Sequence, residues 1–104
     1  MVDIDAAASQ IYSDLQSACY DFAEGSVRME TNNYQDEIDY MEVEKRADEF
    51  YNDPASVGDF IGDRIYDASK GDVKVKKLIA ESLKGYGHDA LVKACDTLIN
   101  ERYT

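Results

Sequence analysis

The spacing of apolar residues is the feature of this sequence that most restricts how the chain can fold. Apolar side chains recur three and four positions apart throughout its length, which is the period of one face of an α-helix. No segment alternates apolar and polar residues over more than four positions, as a half-buried strand does. We therefore expect an all-α fold, a compact bundle of about five helices with short connections.

Two helices are predicted in the first half of the chain. The first covers residues 3–24 and stops at Gly25, because glycine is favoured just past a helix end. Its apolar stripe is formed by Ile4, Ile11, Leu15, Ala18 and Phe22. Residues 26–33 are rich in Asn, Thr and Ser, which indicates a loop. The second helix covers residues 34–51, and its apolar side chains fall on two faces. One face holds Val43, Ala47 and Phe50, and the other holds Ile38 and Met41.

The third helix has the clearest start signal in the chain. Asp53 is a favoured N-cap residue, and Pro54 after it is favoured as the first helical residue. Gly71 marks the end of this helix. Its apolar stripe is formed by Val57, Phe60, Ile61, Ile65 and Ala68.

Two more helices complete the predicted bundle. Asp72 caps the fourth helix and Gly85 ends it, and the fifth helix begins at His88 or Asp89 after a short turn. The spacing in each helix predicts one buried face. These faces hold Val75, Leu78, Ile79 and Leu83 in the fourth helix, and Leu91, Val92, Cys95, Leu98 and Ile99 in the fifth.

The length of 104 residues fits one domain, which we place over residues 1–104. No apolar run approaches the ~20 residues that a membrane helix needs, and the first residues are acidic where a signal peptide is basic. Cys19 and Cys95 are far apart in sequence and each lies within an apolar stripe. We expect a soluble cytoplasmic protein with two buried free thiols, in the host cytoplasm if a phage encodes it.

The charge of the chain excludes one class of function. The formal net charge is −11, whereas a protein that binds nucleic acid directly needs a basic surface. Residues 1–67 hold 17 acidic and 4 basic side chains, a net charge of −13, while residues 68–104 carry a net charge of +2. Adaptation to high salt also produces acidic proteins. Here, however, seven clustered lysines outnumber four arginines, a pattern that does not resemble halophilic surfaces.

The residues of common catalytic and metal sites are scarce. The chain has one histidine, His88, which we interpret as a residue at a loop end or helix cap. One histidine and two separated cysteines do not supply the four ligands of a structural zinc site. No phosphate-binding glycine loop or calcium loop is present. We expect no enzymatic activity, no cofactor and no metal.

Rows of carboxylates are the informative feature for function. Asp59, Asp63 and Asp67 recur every four residues, so they lie along one side of the third helix about 6 Å apart. Like charges at this spacing repel each other, so helix stability alone does not favour them. The spacing is close to that of successive phosphates on a nucleic-acid strand. On the first helix, Asp14 and Asp21 repeat seven residues apart.

The second helix adds a companion row beside tyrosines. Glu37, Glu44 and Asp48 cluster on one side of this helix, with Tyr40 and Tyr51 on the flank. The chain has eight tyrosines and no tryptophan, and several tyrosines fall at or beyond the edge of an apolar stripe, Tyr66 among them. Tyrosine presents an apolar ring with a polar tip at a low entropy cost, which suits protein interfaces.

In size and composition alone, the chain resembles small acidic inhibitors of nucleic-acid enzymes. This group includes phage antirestriction and anti-CRISPR proteins that mimic DNA, and immunity proteins of nuclease toxins. The likeness implies a partner that is a basic, nucleic-acid-handling protein. The acidic charge and the lack of a long apolar run predict no direct contact with nucleic acid or membrane. The contact residues we predict are Asp59, Asp63, Asp67, Glu37, Glu44 and Asp48, with Tyr40, Tyr51 and Tyr66 as anchors.

The alternative is a small helical adaptor or homodimer that binds through an apolar face around Ile38 and Met41. A third mode of association is head to tail, with the basic segment 70–84 of one copy against the acidic part of another. The identity of the target, the choice between DNA and RNA mimicry, and whether inhibition is competitive stay open at this level.

Overall fold

A computed structural model describes residues 3–31 and 40–103 of the chain. These residues form helices and connecting turns without any strand, which confirms the predicted all-α fold. The described helices are α1 (Ile4–Thr31), α2 (Tyr40–Tyr51), α3 (Pro54–Ser69), α4 (Val73–Lys84) and α5 (Asp89–Glu101).

The main core is formed by the N-terminal part of α1 with α3, α4 and α5. The stripe of α1 enters it through Leu15, which is fully buried among Ile61, Ile65 and Ile79 of the other helices. The sequence predicts Phe22 in this stripe, but Phe22 is 62% exposed, so that part of the prediction is wrong. Leu83, from α4, and Leu91, from α5, are also fully buried. The predicted stripes of the third and fifth helices therefore form the core, except that Val92 is only half-buried and lies outside it, and α5 adds the small residues Ala90 and Ala94.

Both cysteines are free and buried in this core, as the sequence predicts. Burial raises the pKa of Cys19 to about 11 and that of Cys95 to about 12, because a thiolate is poorly solvated there. Neither thiol is ionised near neutral pH, so neither is a reactive nucleophile in the folded protein.

α1 is longer than the sequence pattern predicts, and the predicted stop at Gly25 is wrong. The helix continues to Thr31, so residues 26–31 of the predicted loop are helical. Ala23 and Val27 extend the apolar stripe by two turns and bury against Val43 of α2. This packing outweighs the cost of about 1 kcal/mol for a glycine inside a helix. At 28 residues, α1 spans about 42 Å and accounts for the elongated shape, 48 Å by 24 Å by 20 Å.

α2 packs beside the C-terminal half of α1. Its described part begins at Tyr40, and residues 34–39 of the predicted second helix lie outside the described residues. Val43 is fully buried and Ala47 is half-buried, so the first of the two predicted apolar faces does turn toward α1. The second predicted face is represented by Met41, which is 81% exposed, while Ile38 lies outside the described residues.

The predicted helix ends of the second half are largely confirmed. The Asp53 carboxylate accepts a hydrogen bond from the Ala55 N–H, and Pro54 is the first residue of α3. The Asp72 carboxylate accepts from the Lys74 and Val75 N–H groups at the start of α4. α3 ends at a left-handed turn in which Gly71 has a φ of +81°, a conformation that glycine adopts without strain.

One predicted core residue of α4 is wrong. Leu78 is 53% exposed, and Ala80 is buried in its place. Ile79 and Leu83 are one turn apart and define the buried side, whereas Leu78 is turned by about 100° from Ile79 toward solvent.

None of the described helices combines the length and the apolar character that crossing a bilayer requires.

Replacing leucine by alanine at each of two positions tests which side of α4 faces the core. Leu83→Ala should lower the free energy of unfolding by about 3 kcal/mol, because it leaves a cavity in the main core. Leu78→Ala on the same helix should lower it by less than about 1 kcal/mol, because about half of this residue is already exposed. Urea unfolding followed by circular dichroism measures both. Equal losses for the two variants would contradict the observed orientation of α4.

The continuation of α1 through Gly25 can be tested by Gly25→Ala. No atom lies within 4 Å of an added Cβ, so the variant should be more stable by about 0.5–1 kcal/mol, as expected inside an exposed helix. Gly71→Ala is the control, because the positive φ of that residue makes the same substitution destabilising. Thermal or urea unfolding measures both changes. A destabilised Gly25→Ala would mean that Gly25 lies in a turn.

Candidate protein-binding face

The outer surface of α1 carries three carboxylates between two neighbouring helices. Residues Asp21 and Glu24 point away from the stripe that buries Leu15, and Asp14 lies at the border with α3. α2 packs along one side of this surface and α3 along the other. We call Asp14, Asp21 and Glu24 the outer strip of α1.

One flank of the outer strip is an open groove between α1 and α2, which we call the α1/α2 groove. Cys19 and Ala47 lie at its apolar base, and the other lining residues are polar or aromatic. The pKa of Tyr20 is raised above its usual value of 10 by desolvation and by the nearby charges of Glu24 and Glu44. The polar and aromatic lining residues are Gln16, Tyr20, Glu44, Asp48 and Tyr51.

The other flank of the outer strip is the exposed side of α3. Each step of four residues turns a helix by about 40°, so the row Asp59, Asp63 and Asp67 drifts around α3 by about 80°. Asp67 lines a depression against α1 together with Asp14. Asp59 and Asp63 line a different depression against α5.

The row on α3 is therefore divided between two surroundings. The depression that holds Asp59 and Asp63 also holds Lys76 and Arg102, which offset part of its negative charge. Asp67 faces the outer strip of α1 instead. The sequence predicts one uniform row, and the twist of the helix against its neighbours separates its two ends.

We call the outer strip of α1, the carboxylates of the α1/α2 groove and Asp67 the acidic face, and arginines neutralise only part of it. Arg64 lies 3.5 Å from Asp14 and 5.0 Å from the centre of the Phe60 ring, so it bridges α3 and α1. Arg28 pairs with Glu24 at 2.9 Å. Within residues 3–31 and 40–103, four exposed carboxylates on or beside the outer strip form no salt bridge. They are Asp21, Glu44, Asp48 and Asp67.

The predicted tyrosine anchors have three different surroundings. Tyr40 is 57% exposed, and its ring lies close enough to Tyr20 to affect the pKa of that hydroxyl. Tyr66 is 58% exposed, and the Lys76 ammonium lies 4.8 Å from the centre of its ring. Tyr51 is half-buried at the end of the α1/α2 groove.

Tyr51 belongs to a cluster of rings behind the groove. Its hydroxyl oxygen lies 2.7 Å from that of Tyr12, and the two share a hydrogen bond. Burial and this bond raise the pKa of Tyr51 to about 12. Tyr12 stacks on Tyr86 at 4.4 Å between ring centres, and His88 lies 3.8 Å from the ring of Tyr51.

The structure brings Glu44, Asp48, Tyr40 and Tyr51 together along α2, and Glu37 lies outside the described residues. The connecting element, the outer strip of α1, was missed as part of the site. Its sequence signal is the seven-residue repeat of Asp14 and Asp21. That repeat places both on one side of a helix, but it does not say which helices pack on either side.

No family profile, curated protein or solved structure matches this chain. Among the described residues, no group of three or more His, Cys, Asp or Glu side chains is arranged to hold a metal ion.

The repulsion within the acidic face should be measurable as a lowered free energy of unfolding. Replacing Glu44 by Gln and Asp48 by Asn removes two like charges one turn apart, so the variant should gain about 0.5 kcal/mol at low ionic strength. The gain should shrink in 1 M NaCl, where the Debye length is about 3 Å.

Glu81→Gln is the control for this pair of substitutions. Glu81 lies 4.0 Å from the Lys84 ammonium, so its neutralisation should leave the free energy of unfolding unchanged or slightly lower. Urea unfolding at the two salt concentrations measures all three proteins. A loss of stability in the double variant would show that Glu44 and Asp48 have favourable partners.

Proposed function

We propose that this chain is a small acidic inhibitor that binds the cationic nucleic-acid groove of a DNA- or RNA-handling protein. Its activity would be of the antirestriction, anti-CRISPR or nuclease-immunity type, and would need no catalytic residue of its own. The observation that carries the proposal is the acidic face, where exposed carboxylates without salt bridges extend from α2 across α1 to α3.

Charge supports a cationic partner. An acidic face on a chain with a net charge of −11 produces a long-range field that attracts basic proteins and repels nucleic acid. Unpaired surface carboxylates keep their full charge for a partner, whereas paired ones are already neutralised. Association steered in this way is fast at low salt and slows as ionic strength rises.

The tyrosines support a protein partner rather than free cations. Tyr20 and Tyr40 are exposed beside Glu44, so an arginine or lysine of the partner can contact a carboxylate and an aromatic ring together. A cation over a tyrosine ring contributes about 0.5–1 kcal/mol at an exposed site. A flexible basic side chain thus finds both charge and apolar contact in the α1/α2 groove.

A second candidate function is supported by exposed methionines. Met29 is 84% exposed and Met41 is 81% exposed, and Met41 belongs to the second apolar face of α2. Methionine is frequent on surfaces that adapt to protein partners. An adaptor or homodimer that uses this apolar surface would keep its affinity in high salt, which distinguishes it from the inhibitor.

Capture from a bacterial lysate, with stepwise elution from low to high salt, tests the proposed function. The expected result is a nucleic-acid-handling protein that leaves at moderate salt and that free DNA or RNA displaces, identified by mass spectrometry. A partner that resists high salt and has no nucleic-acid groove would contradict the inhibitor and favour the adaptor.

Three double variants of this chain, measured for binding to the captured protein, then show which of its surfaces makes the contact. Glu44→Lys with Asp48→Lys tests the α1/α2 groove, and Asp59→Lys with Asp63→Lys tests the α3 side facing α5. Either pair, if in contact, should slow association at low salt by about tenfold or more without unfolding the helices.

The matched control is Glu81→Lys with Glu101→Lys, on α4 and α5. It changes the net charge by the same amount but leaves the outer strip of α1 and both of its flanks intact. Surface plasmon resonance gives the association rates, and circular dichroism verifies the fold. Equal slowing in all three variants would show that net charge alone, and no particular face, drives association.

A further inference from the structure

His88 caps α5 in a manner that depends on the protonation state of its ring. The Leu91 N–H donates a hydrogen bond of 3.1 Å to His88 Nδ1, so Nδ1 must carry a lone pair and no proton. The proton of the neutral ring then lies on Nε2, which is buried without a partner among the described residues. Protonation of Nδ1 replaces the acceptor with a second donor and abolishes the cap.

The same ring touches the end of the α1/α2 groove. The ring centres of His88 and Tyr51 are 3.8 Å apart, and Tyr51 lines the groove beside Asp48. Behind this contact, the Tyr51 hydroxyl bonds to that of Tyr12 on α1. The Tyr51 side chain therefore contacts the residue that caps α5 and also lines the α1/α2 groove.

The groups around His88 mostly favour its neutral form. Burial lowers the pKa of His88 below its usual value of 6.5, and the nearby carboxylate of Asp89 opposes this shift. The N-terminus of α5 also disfavours an imidazolium, because the helix dipole is positive there. Among the described residues, the Tyr51 phenol on α2 packs against the ring, with Tyr12 of α1 and Tyr86 behind it. The Tyr51 ring also opposes the shift, because an aromatic face attracts a cation.

We propose that His88 is a pH-sensitive switch that couples the cap of α5 to the α1/α2 groove through Tyr51. In the neutral state, His88 holds the first turn of α5 and supports the Tyr51 ring. In the protonated state, the cap is lost, and the ring, released from the Leu91 N–H, changes its packing against Tyr51 at the end of the groove. The regulation of partner binding by this switch rests on the proposed function, whereas the switch itself is a property of the free protein.

The sign of the pH effect follows from the lowered pKa. The unfolded chain takes up a proton on His88 at a higher pH than the folded chain does. The contribution of His88 to stability is therefore fully present above pH 6.5 and decreases as the pH falls below that value.

Nuclear magnetic resonance on the free protein tests the switch without any partner. As the only histidine in the chain, His88 gives one imidazole titration between pH 8 and pH 5. The Leu91 amide should shift with the same midpoint, and the Tyr51 ring signals should move with it. Exchange of the Leu91 amide, corrected for its intrinsic pH dependence, should rise by about fivefold, the effect of losing one N-cap.

His88→Asn is the control, because asparagine caps a helix N-terminus without titrating in this range. In this variant, the Leu91 and Tyr51 signals should not change between pH 8 and pH 6. An imidazole midpoint at or above 6.5, or a Leu91 amide that ignores the titration of wild-type His88, would overturn the switch. Both readouts on the wild type stand even if the variant fails to fold.

The captured partner separates the switch from the proposed function. If both are right, the wild type should bind several-fold more weakly at pH 5.5 than at pH 7.5, and His88→Asn should bind equally at both. A switch seen in the free protein with pH-independent binding would reject the coupling to the groove and leave the inhibitor proposal standing. A failure of capture would reject the inhibitor and leave the switch itself standing.

Discussion

The apolar stripe of α1 is the constraint on which the other helices depend. Its N-terminal half supplies Leu15 to the main core, and its C-terminal half supplies Val27 to the smaller contact with α2. A single helix therefore joins both clusters of buried residues. Because the stripe occupies only one side of α1, side chains on the opposite side, such as Ser17 and Asp21, are exposed.

The same geometry creates the acidic face. The side chains of Asp21 and Glu24 have no position in either core, so they remain on the outer strip between α2 and α3. Burial on one side of α1 thus fixes where its carboxylates lie relative to Glu44 and Asp67. A surface that opposes stability through repulsion is tolerated because the cores on the other side of α1 contribute far more free energy than a few like-charge pairs remove.

The sequence predicts local structure well where side chains and backbone interact within one turn. Asp53 with Pro54, and Asp72, mark helix starts correctly because a cap is satisfied by groups two or three residues away. Gly25 shows the limit of such local signals. Its preference for a helix end is overridden by the contact of Val27 with Val43, sixteen residues further along the chain. Leu78 shows the same limit, because apolar character alone does not decide which of two adjacent residues faces the core.

The carboxylate rows show the same limit of sequence prediction for contacts between helices. Spacing within one helix predicts that Asp59, Asp63 and Asp67 share a side, and that Glu44 and Asp48 share another. It does not predict that α1 lies between them, or that Lys76 and Arg102 face two members of the first row. Those relations depend on the packing order of helices, which periodicity does not encode.

The position of Tyr51 illustrates how binding and stability share residues in a small domain. In sequence it is one of several tyrosines at a stripe edge, suited equally to a partner or to the rim of the core. In the structure, its hydroxyl bonds to Tyr12 and its ring contacts His88, while one side still lines the α1/α2 groove. With 104 residues there are too few side chains to keep a binding surface separate from the packing beneath it. A change in the protonation of His88 is therefore transmitted to the groove by direct contact, with no need for motion of a whole helix.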